Sequence, residues 1–529
     1  MRDFDWQLPY ASRREPILAR NVVATSQPLA VQAGMAMLQR GGSAIDAALA
    51  AAITLTVVEP CSNGIGSDLF AILWDGGELV GLNASGRAPA AVTPARYAGK
   101  ERIPERSWEA VTIPGAVAGW AALSQRFGSL PFADLFAPAI RYATDGYAVS
   151  PVVAAKWALA VDALPHDLGF GEHFMPKGRA PRPGEVFQSA AMARTLERIA
   201  ATHGHAFYHG ELAAAMVAHA KANGALHTME DFAGHTLDWV KPLALDYDGA
   251  TVHEIPPNGQ GIAALIALGI LRAFDLKSLP PDSVDSQHLQ IEAMKLAFAD
   301  AYRYVSDPTT MEFPPEALLD PGYLAARAKK IDRERAQNFG PGDPLRGGTV
   351  YLCAADERGM IVSLIQSNYQ GFGSSVVVPR TGISLQNRGA GFSLVPGHPN
   401  EVRGGKRPFH TIIPGFLTQG GAPLAAFGVM GGAIQPPGHV QTLMRLLAYG
   451  MNPQAALDAP RWKLNGGVSV DLEPTASEEL RAGLIARGHE IKAVADSYMD
   501  YGAGQMIVRI EGGYAAGSDP RRDGQAAGF

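Results

Sequence analysis

Cysteine is almost missing from this chain: Cys61 and Cys353 are the only two in 529 residues. Two thiols make neither a disulfide framework nor, by themselves, a metal site, and each is expected to be a small core residue. Charge is scarce too, at 18% of residues, and no long basic run occurs. With a formal net charge of -6, nucleic acid is not an expected partner. Long hydrophobic runs are absent. The longest mostly apolar stretch, Ala47 to Val58, has 12 residues, too few to span a bilayer. Arg13, Arg14 and Glu15 stand where a signal peptide needs its apolar centre. A soluble cytoplasmic protein with no membrane partner is therefore expected. No internal repeat of a solenoid or propeller kind is visible.

What is present is an ordinary globular balance, 47% hydrophobic, in a chain whose length alone permits two to four domains. Two Ala-rich helices are expected between Pro28 and Val58, split at Gly41-Gly42, with Ser43 as N-cap and Asp46 in the first turn of the second. Cys61-Ser-Asn-Gly-Ile-Gly-Ser-Asp68 is a tight turn leading into a strand, Leu69 to Trp74, and a second strand, Glu78 to Asn83. Because Gly64-x-Gly66 lacks a third glycine and opens a strand, it is no dinucleotide fingerprint. A helical region runs from about 116 to 233. Within it His203, His205 and His209 have no acidic or Cys partner at ligand spacing and read as surface and turn residues. A strand pair is expected over 243–255 around Asp248-Gly249, then helices at 262–274 and 287–304, then a linker over 336–346. Short strands follow at 350–355, 360–367, 375–378, 410–418 and 424–430, with a helix at about 438–449. Helices beside hairpin-like strands predict a layered α/β (α+β) arrangement of antiparallel sheets.

The stretch that organises the rest is Pro341-Gly-Asp-Pro-Leu-Arg-Gly-Gly-Thr349, running into Val-Tyr-Leu-Cys-Ala-Ala355. Thr349 stands at the start of a strand. A Thr hydroxyl is a poor nucleophile without a base, and one solution is to cut the chain before it so that its own α-amino group serves. That amine titrates at roughly 7.7–8.0, so much of it is neutral near pH 7. The preceding glycines leave the scissile peptide unhindered. Gly-Gly-Thr is equally what a plain loop-to-strand junction looks like.

Other segments decide between them. Leu38-Gln-Arg-Gly-Gly-Ser-Ala-Ile-Asp-Ala-Ala48, Asn63-Gly-Ile-Gly-Ser-Asp68, Ile113-Pro-Gly-Ala-Val-Ala-Gly119, Phe207-Tyr-His-Gly-Glu211, Pro256-Pro-Asn-Gly-Gln-Gly261, Gly348-Thr349, Lys406-Arg-Pro408, Gly431-Gly432, Ala459-Pro-Arg461 and Ser518-Asp-Pro-Arg521 together resemble the γ-glutamyltransferase family of N-terminal nucleophile hydrolases. The resemblance covers nearly the whole chain. It implies a four-layer αββα sandwich, made as a precursor that cuts itself between Gly348 and Thr349. The fragments 1–348 and 349–529 would stay together as one interlocked heterodimer, which could itself pair. No cofactor and no metal is implied. The resemblance makes Thr349 the nucleophile, Ser367 its hydroxyl support, and Gly431 and Gly432 the pair whose N–H groups bind the oxyanion. Arg87 matches the arginine that clamps a substrate carboxylate. His410 and Thr411 stand at the family's Ser-Ser carboxylate-binding pair, where Thr411 still offers a hydroxyl and His410 departs.

Larger departures lie where the family holds the substrate's α-ammonium with an Asn, a Gln and an Asp. Here those positions are Tyr369, Arg388 and Gly391. A negative charge is lost and a positive one gained, which disfavours an ammonium and favours a carboxylate. Asn368 or Asn387 could still contact an amine, without supplying charge. The expected substrate is therefore a small carboxylate amide lacking an α-amine, as for the family's oxamate amidohydrolase and glutaryl-cephalosporin acylase members. Action on γ-glutamyl compounds such as glutathione, and a catalytically silent carboxylate-binding relative, are the alternatives.

Overall fold

A computed structural model describes residues 13–340, 348–494 and 501–529. Its centre is a pair of seven-stranded sheets. In the first the order is Gln525–Gly528, Val22–Thr25, Gly348–Ala355, Ile361–Tyr369, Asp68–Trp74, Leu79–Ala84 and Asp238–Val240. The second runs Ile17–Ala19, Gly513–Ser518, Ala503–Ile510, Ala422–Met430, Gly415–Gln419, Ala250–Glu254 and Leu243–Tyr247. Every neighbouring pair in both sheets is antiparallel. Each sheet is built from segments lying both before and after Thr349 in the sequence.

Strand alternation builds the layers. Along Gly348–Ala355, Tyr351, Cys353 and Ala355 face Phe416, Ala426 and Ile507 of the other sheet. Val350, Leu352 and Ala354 face outward, into a core shared with the helices Pro28–Gln39 and Ala44–Val58. The second sheet turns Leu245, Val252, Leu417 and Phe427 to its own helical layer, where Gly261–Leu271 and Val284–Tyr304 pack. Both faces of the central strands are covered, which is why they read as unbroken apolar runs. The result is an αββα sandwich. Both cysteines are buried and free.

Several expected elements form with small shifts. The strand pair at 243–255 is found as Leu243–Tyr247 and Ala250–Glu254. The strand expected over 410–418 is shorter, Gly415–Gln419. Upstream of it the backbone bonds to a loop instead of a ladder: His410 N–H donates to Asn258 O and Gln260 N–H to His410 O, both at 2.9 Å. The helix expected at 438–449 begins at Gln435, with Pro436 and Pro437 in its first turn, and ends in a π turn at Met444–Ala448. Of the segment 375–378 only Val377–Val378 is strand. Residues 341–346 of the expected linker lie outside the described residues. His203, His205 and His209 are exposed, with His205 and His209 stacked at 4.8 Å. Among the described residues no helix is long and apolar enough to cross a membrane.

Ser43 caps the helix Ala44–Val58 as expected, and Asp46 completes a capping box. Asp46 does more than cap. Its Oδ2 accepts from Ser43 N–H at 2.8 Å, Ser129 N–H at 2.9 Å and Leu130 N–H at 3.2 Å, tying that helix to the turn after Ala116–Phe127. Replacing Asp46 by Ala would remove the acceptor shared by these three N–H groups, that of the buried Ser43 among them, and a loss of about 2–3 kcal/mol is expected. Denaturant titration of the variant checks this; an unshifted midpoint would show that the carboxylate is dispensable.

Candidate active site

Three neighbouring strands end at one place. Ser367 is paired directly with Asp68 across the sheet. On its other side the register slips: Gly348 pairs with Tyr369 while Val350 pairs with Gln366, so Ser367 and Asn368 together oppose Thr349. This bulge re-aims the strand end. By strand alternation Thr349, Ser367 and Asp68 share the face that looks toward the second sheet, and all three are buried.

Hydrogen bonds join them to residues from farther along. Thr349 Oγ1 lies 3.1 Å from Ser367 Oγ. Ser367 Oγ accepts from Tyr369 N–H at 2.7 Å and from Arg388 Nη2 at 3.1 Å, and donates to the carbonyl oxygen of Gly348 at 2.7 Å. Arg388 also donates from Nη1 to Thr411 Oγ1 at 2.8 Å, and its guanidinium carbon stands 4.3 Å from the centre of the Tyr369 ring. Tyr369 takes a left-handed backbone, φ 76°, which is costly for a bulky side chain and characteristic of functional loops. Arg388 has no exposed surface, and its Nε finds no hydrogen-bond partner among the described residues. Burial pulls Arg388 down to about 10, opposed by the charge of Asp68, so it stays a cation at neutral pH.

Asp68 is the functional candidate that sequence reading passed over, although it closed a motif singled out above. Its Oδ1 accepts from Gly86 N–H at 3.2 Å and Gly115 N–H at 3.1 Å, and its Oδ2 accepts from His410 Nε2 at 3.1 Å. Burial pushes its carboxyl up to about 7, while Arg388 and the two backbone N–H groups oppose that rise. His410 is held well below its usual range by burial and by Arg388 and Arg407, so it is a neutral donor to Asp68. A lone acid at the mouth of an otherwise apolar strand was the available signal. Gln260 was also missed; its Nε2 donates to Thr411 O at 2.6 Å and Gly432 O at 3.1 Å, linking the glycine pair to this cluster. Gly431 and Gly432 have φ of 126° and 73°, a region that a side chain rarely tolerates.

Arg87 stands apart from these contacts. It is half-buried and donates from Nη1 to Thr236 Oγ1 at 3.2 Å, beside Arg407, which also contacts Thr236 and Asp238. Asn368 and Asn387 are occupied as well: Asn368 joins Ser67 and Ser384, and Asn387 joins Gln370 and Glu105. At Gly391 a Cβ would approach Phe409 O to 2.7 Å, so that position has no room for a side chain. Elsewhere, His288, Glu292 and His489 come close enough to share an ion. Lys295 Nζ already supplies a cation there, 2.7 Å from Glu292 Oε1, and the two histidines bond each other at 2.8 Å.

A Thr at the start of a strand, a second hydroxyl beside it and a glycine pair of positive φ, in an αββα sandwich, fit the N-terminal nucleophile class of hydrolases. Within that class the chain belongs to the γ-glutamyltranspeptidase family, whose model matches residues 30–529. It is 36% identical over 521 residues to the glutathione hydrolase-like YwrD proenzyme of Bacillus subtilis, covering 96% of this chain and 98% of that one. To the oxamate amidohydrolase proenzyme of Klebsiella pneumoniae it is 37% identical over 516 residues, covering 95% and 97%. A solved cephalosporin acylase from Bacillus halodurans superimposes with a TM-score of 0.96 at 49% identity, over 100% of this chain and 99% of the other.

The raised Asp68 carboxyl has a measurable consequence. Its pKa is higher folded than unfolded, so its proton contributes stability below about pH 4, and that contribution is lost as pH rises to about 7. Thermal melts of wild type and Asp68→Asn are expected to diverge accordingly, the wild type gaining on the variant at pH 5 relative to pH 8. A melting-temperature difference that ignores pH would rule out this titration.

Proposed function

We propose that this γ-glutamyltranspeptidase-family enzyme cuts itself before Thr349 and then hydrolyses small amides whose acyl group carries a carboxylate and no α-amine, oxamate being the model. The observation that carries the substrate reading is Arg388. It is a fully buried cation whose hydrogen bonds go to two neutral hydroxyls, with Nε left over. A guanidinium so placed beside the nucleophile candidate suits a carboxylate in a forked geometry and repels an ammonium. Among the described residues nothing nearby restores an ammonium partner. Gly391 has no room for an acid, both asparagines are occupied, and the oxygens of Asp68 are taken by two N–H groups and His410.

In this reading the α-amine freed by cleavage takes the proton of Thr349 Oγ1 as it attacks the amide carbon. Gly431 and Gly432 supply oxyanion N–H groups. The amine departs with a proton, and water then releases the acid from the acyl-Thr ester. Arg87, half-buried and outside this cluster, adds a positive charge that would attract an anionic substrate. The names of two relatives, an oxamate amidohydrolase and a cephalosporin acylase, are consistent with acyl amides of this kind. A glutathione-directed activity is the second reading, supported by the full-length similarity to a protein named glutathione hydrolase-like. The cytoplasm, where a reduced thiol pair fits, is the proposed location.

Denaturing intact mass spectrometry with a substrate panel tests this. Wild type is expected as two chains, the shorter beginning at Thr349, and Thr349→Ala as one chain of 55.9 kDa. Ammonia release from oxamate should exceed turnover of γ-glutamyl anilide, and Arg388→Gln, assayed on whatever fraction is cut, should narrow that preference by about tenfold or more, the value of one charge-assisted hydrogen bond. Preference for the γ-glutamyl compound in wild type would reverse the substrate assignment.

A further inference from the structure

Ser367 Oγ stands 2.7 Å from the carbonyl oxygen of Gly348, the oxygen of the very peptide that precedes Thr349. A hydroxyl has one proton and two lone pairs. Here Tyr369 N–H and Arg388 Nη2 approach as donors, at 2.7 and 3.1 Å, and fill the lone pairs. The Ser367 proton must then go to an acceptor, and Gly348 O is nearer than Thr349 Oγ1 at 3.1 Å. Ser367 is thus set in the uncut chain as a hydrogen-bond donor to the scissile carbonyl. With its lone pairs occupied, it cannot at the same time take a proton from Thr349.

We propose that Arg388 is a positioning residue for self-cleavage: in the uncut chain it orients and polarises Ser367 so that the hydroxyl stabilises the oxyanion formed at Gly348. This rests on the reading of Thr349 as the self-cleaving nucleophile. Thr349 Oγ1 attacks the Gly348 carbonyl carbon, forming a C–O bond and placing negative charge on the oxygen that Ser367 faces. The C–N bond then breaks, the hydroxyl proton of Thr349 ends on its own nitrogen through solvent, and an ester joins the two residues. Water hydrolyses the ester to the Gly348 carboxylate and the Thr349 hydroxyl, with the new amine free. A cation behind the Ser367 oxygen strengthens its O–H as a donor in a site without exposed surface, where charge is weakly screened. Thr411 on Nη1 and the Tyr369 ring on the guanidinium face hold that cation in place. After cleavage the same guanidinium is available to substrate, so one residue serves both stages.

The test follows the mass of freshly purified wild type, Arg388→Gln, Arg388→Lys and Thr411→Val over time. In wild type the 55.9 kDa chain should be lost first. Arg388→Gln should cut about tenfold more slowly or worse, within what an oxyanion donor commands, and Arg388→Lys, which keeps the charge, should fall between them. Thr411→Val releases Nη1 without removing any charge, and a slowing of a few fold is expected there even if Arg388→Gln fails to fold. A purely packing role would slow Arg388→Gln and Arg388→Lys alike, and that result would overturn the proposal. So would Arg388→Gln or Thr411→Val cutting at the wild-type rate. A wild type that never cuts would instead remove the nucleophile reading beneath it.

Discussion

The constraint on which the site depends is a guanidinium buried without exposed surface. Removing a charge from water costs several kcal/mol even after relaxation, and Arg388 recovers that through two hydroxyls, an aromatic face and the charge of Asp68. The partners arrive from three places in the fold: Ser367 and Tyr369 from the end of the strand Ile361–Tyr369, Thr411 from the segment before Gly415–Gln419, and Asp68 from the start of the neighbouring strand. The cluster therefore forms only when both sheets are correctly in register, since a slip by one residue would turn Ser367 and Asp68 to the helical side.

Asp68 shows why charge in this site cannot be read residue by residue. Its oxygens face only donors, an arrangement that favours the carboxylate, while burial favours the acid. The balance falls near neutrality because the same burial that raises Asp68 lowers Arg388, and each offsets part of the other's loss. His410 remains neutral between them and passes one N–H to Asp68. A family Ser at that position would present a hydroxyl; a histidine spans farther and ties residue 410 to the strand that begins at Asp68.

Much of this was legible in the chain. Ser43 with Asp46 announced a helix start by local chemistry alone, and Asp248-Gly249 announced a hairpin, because capping and tight turns depend on adjacent residues. The position of Thr349 at the start of a strand was equally local. What could not be read was partnership at long range. Residues 410–414 look like strand formers, yet the backbone of His410 bonds to the loop at 256–260 and the N–H groups of Ile412 and Ile413 go to the side chains of His410 and Gln435, and no local propensity reports that competition. Asp68 and Gln260 sat in quoted motifs without a role, since the partners that place them in the cluster, His410 for Asp68 and Thr411 and Gly432 for Gln260, lie more than 150 positions away. Arg87 illustrates the converse: its type and motif suggested a carboxylate clamp, while its described side-chain contacts are with Thr236.

Arg388 was singled out in the sequence for its charge, and the structure adds what charge alone does not convey. An arginine near an active site most often meets an acid and is neutralised in place. Here the guanidinium's hydrogen bonds go to hydroxyls, and among the described residues the one strongly coupled acid, Asp68, spends its own oxygens on other donors. The guanidinium consequently keeps a field that points along Ser367 toward Gly348 O. Under the proposed self-cleavage that carbonyl leaves and the field stays. A γ-glutamyl ammonium entering there would then have to displace this cation or pair with an acid that is already bonded, whereas a carboxylate would only have to replace the oxygen that departed.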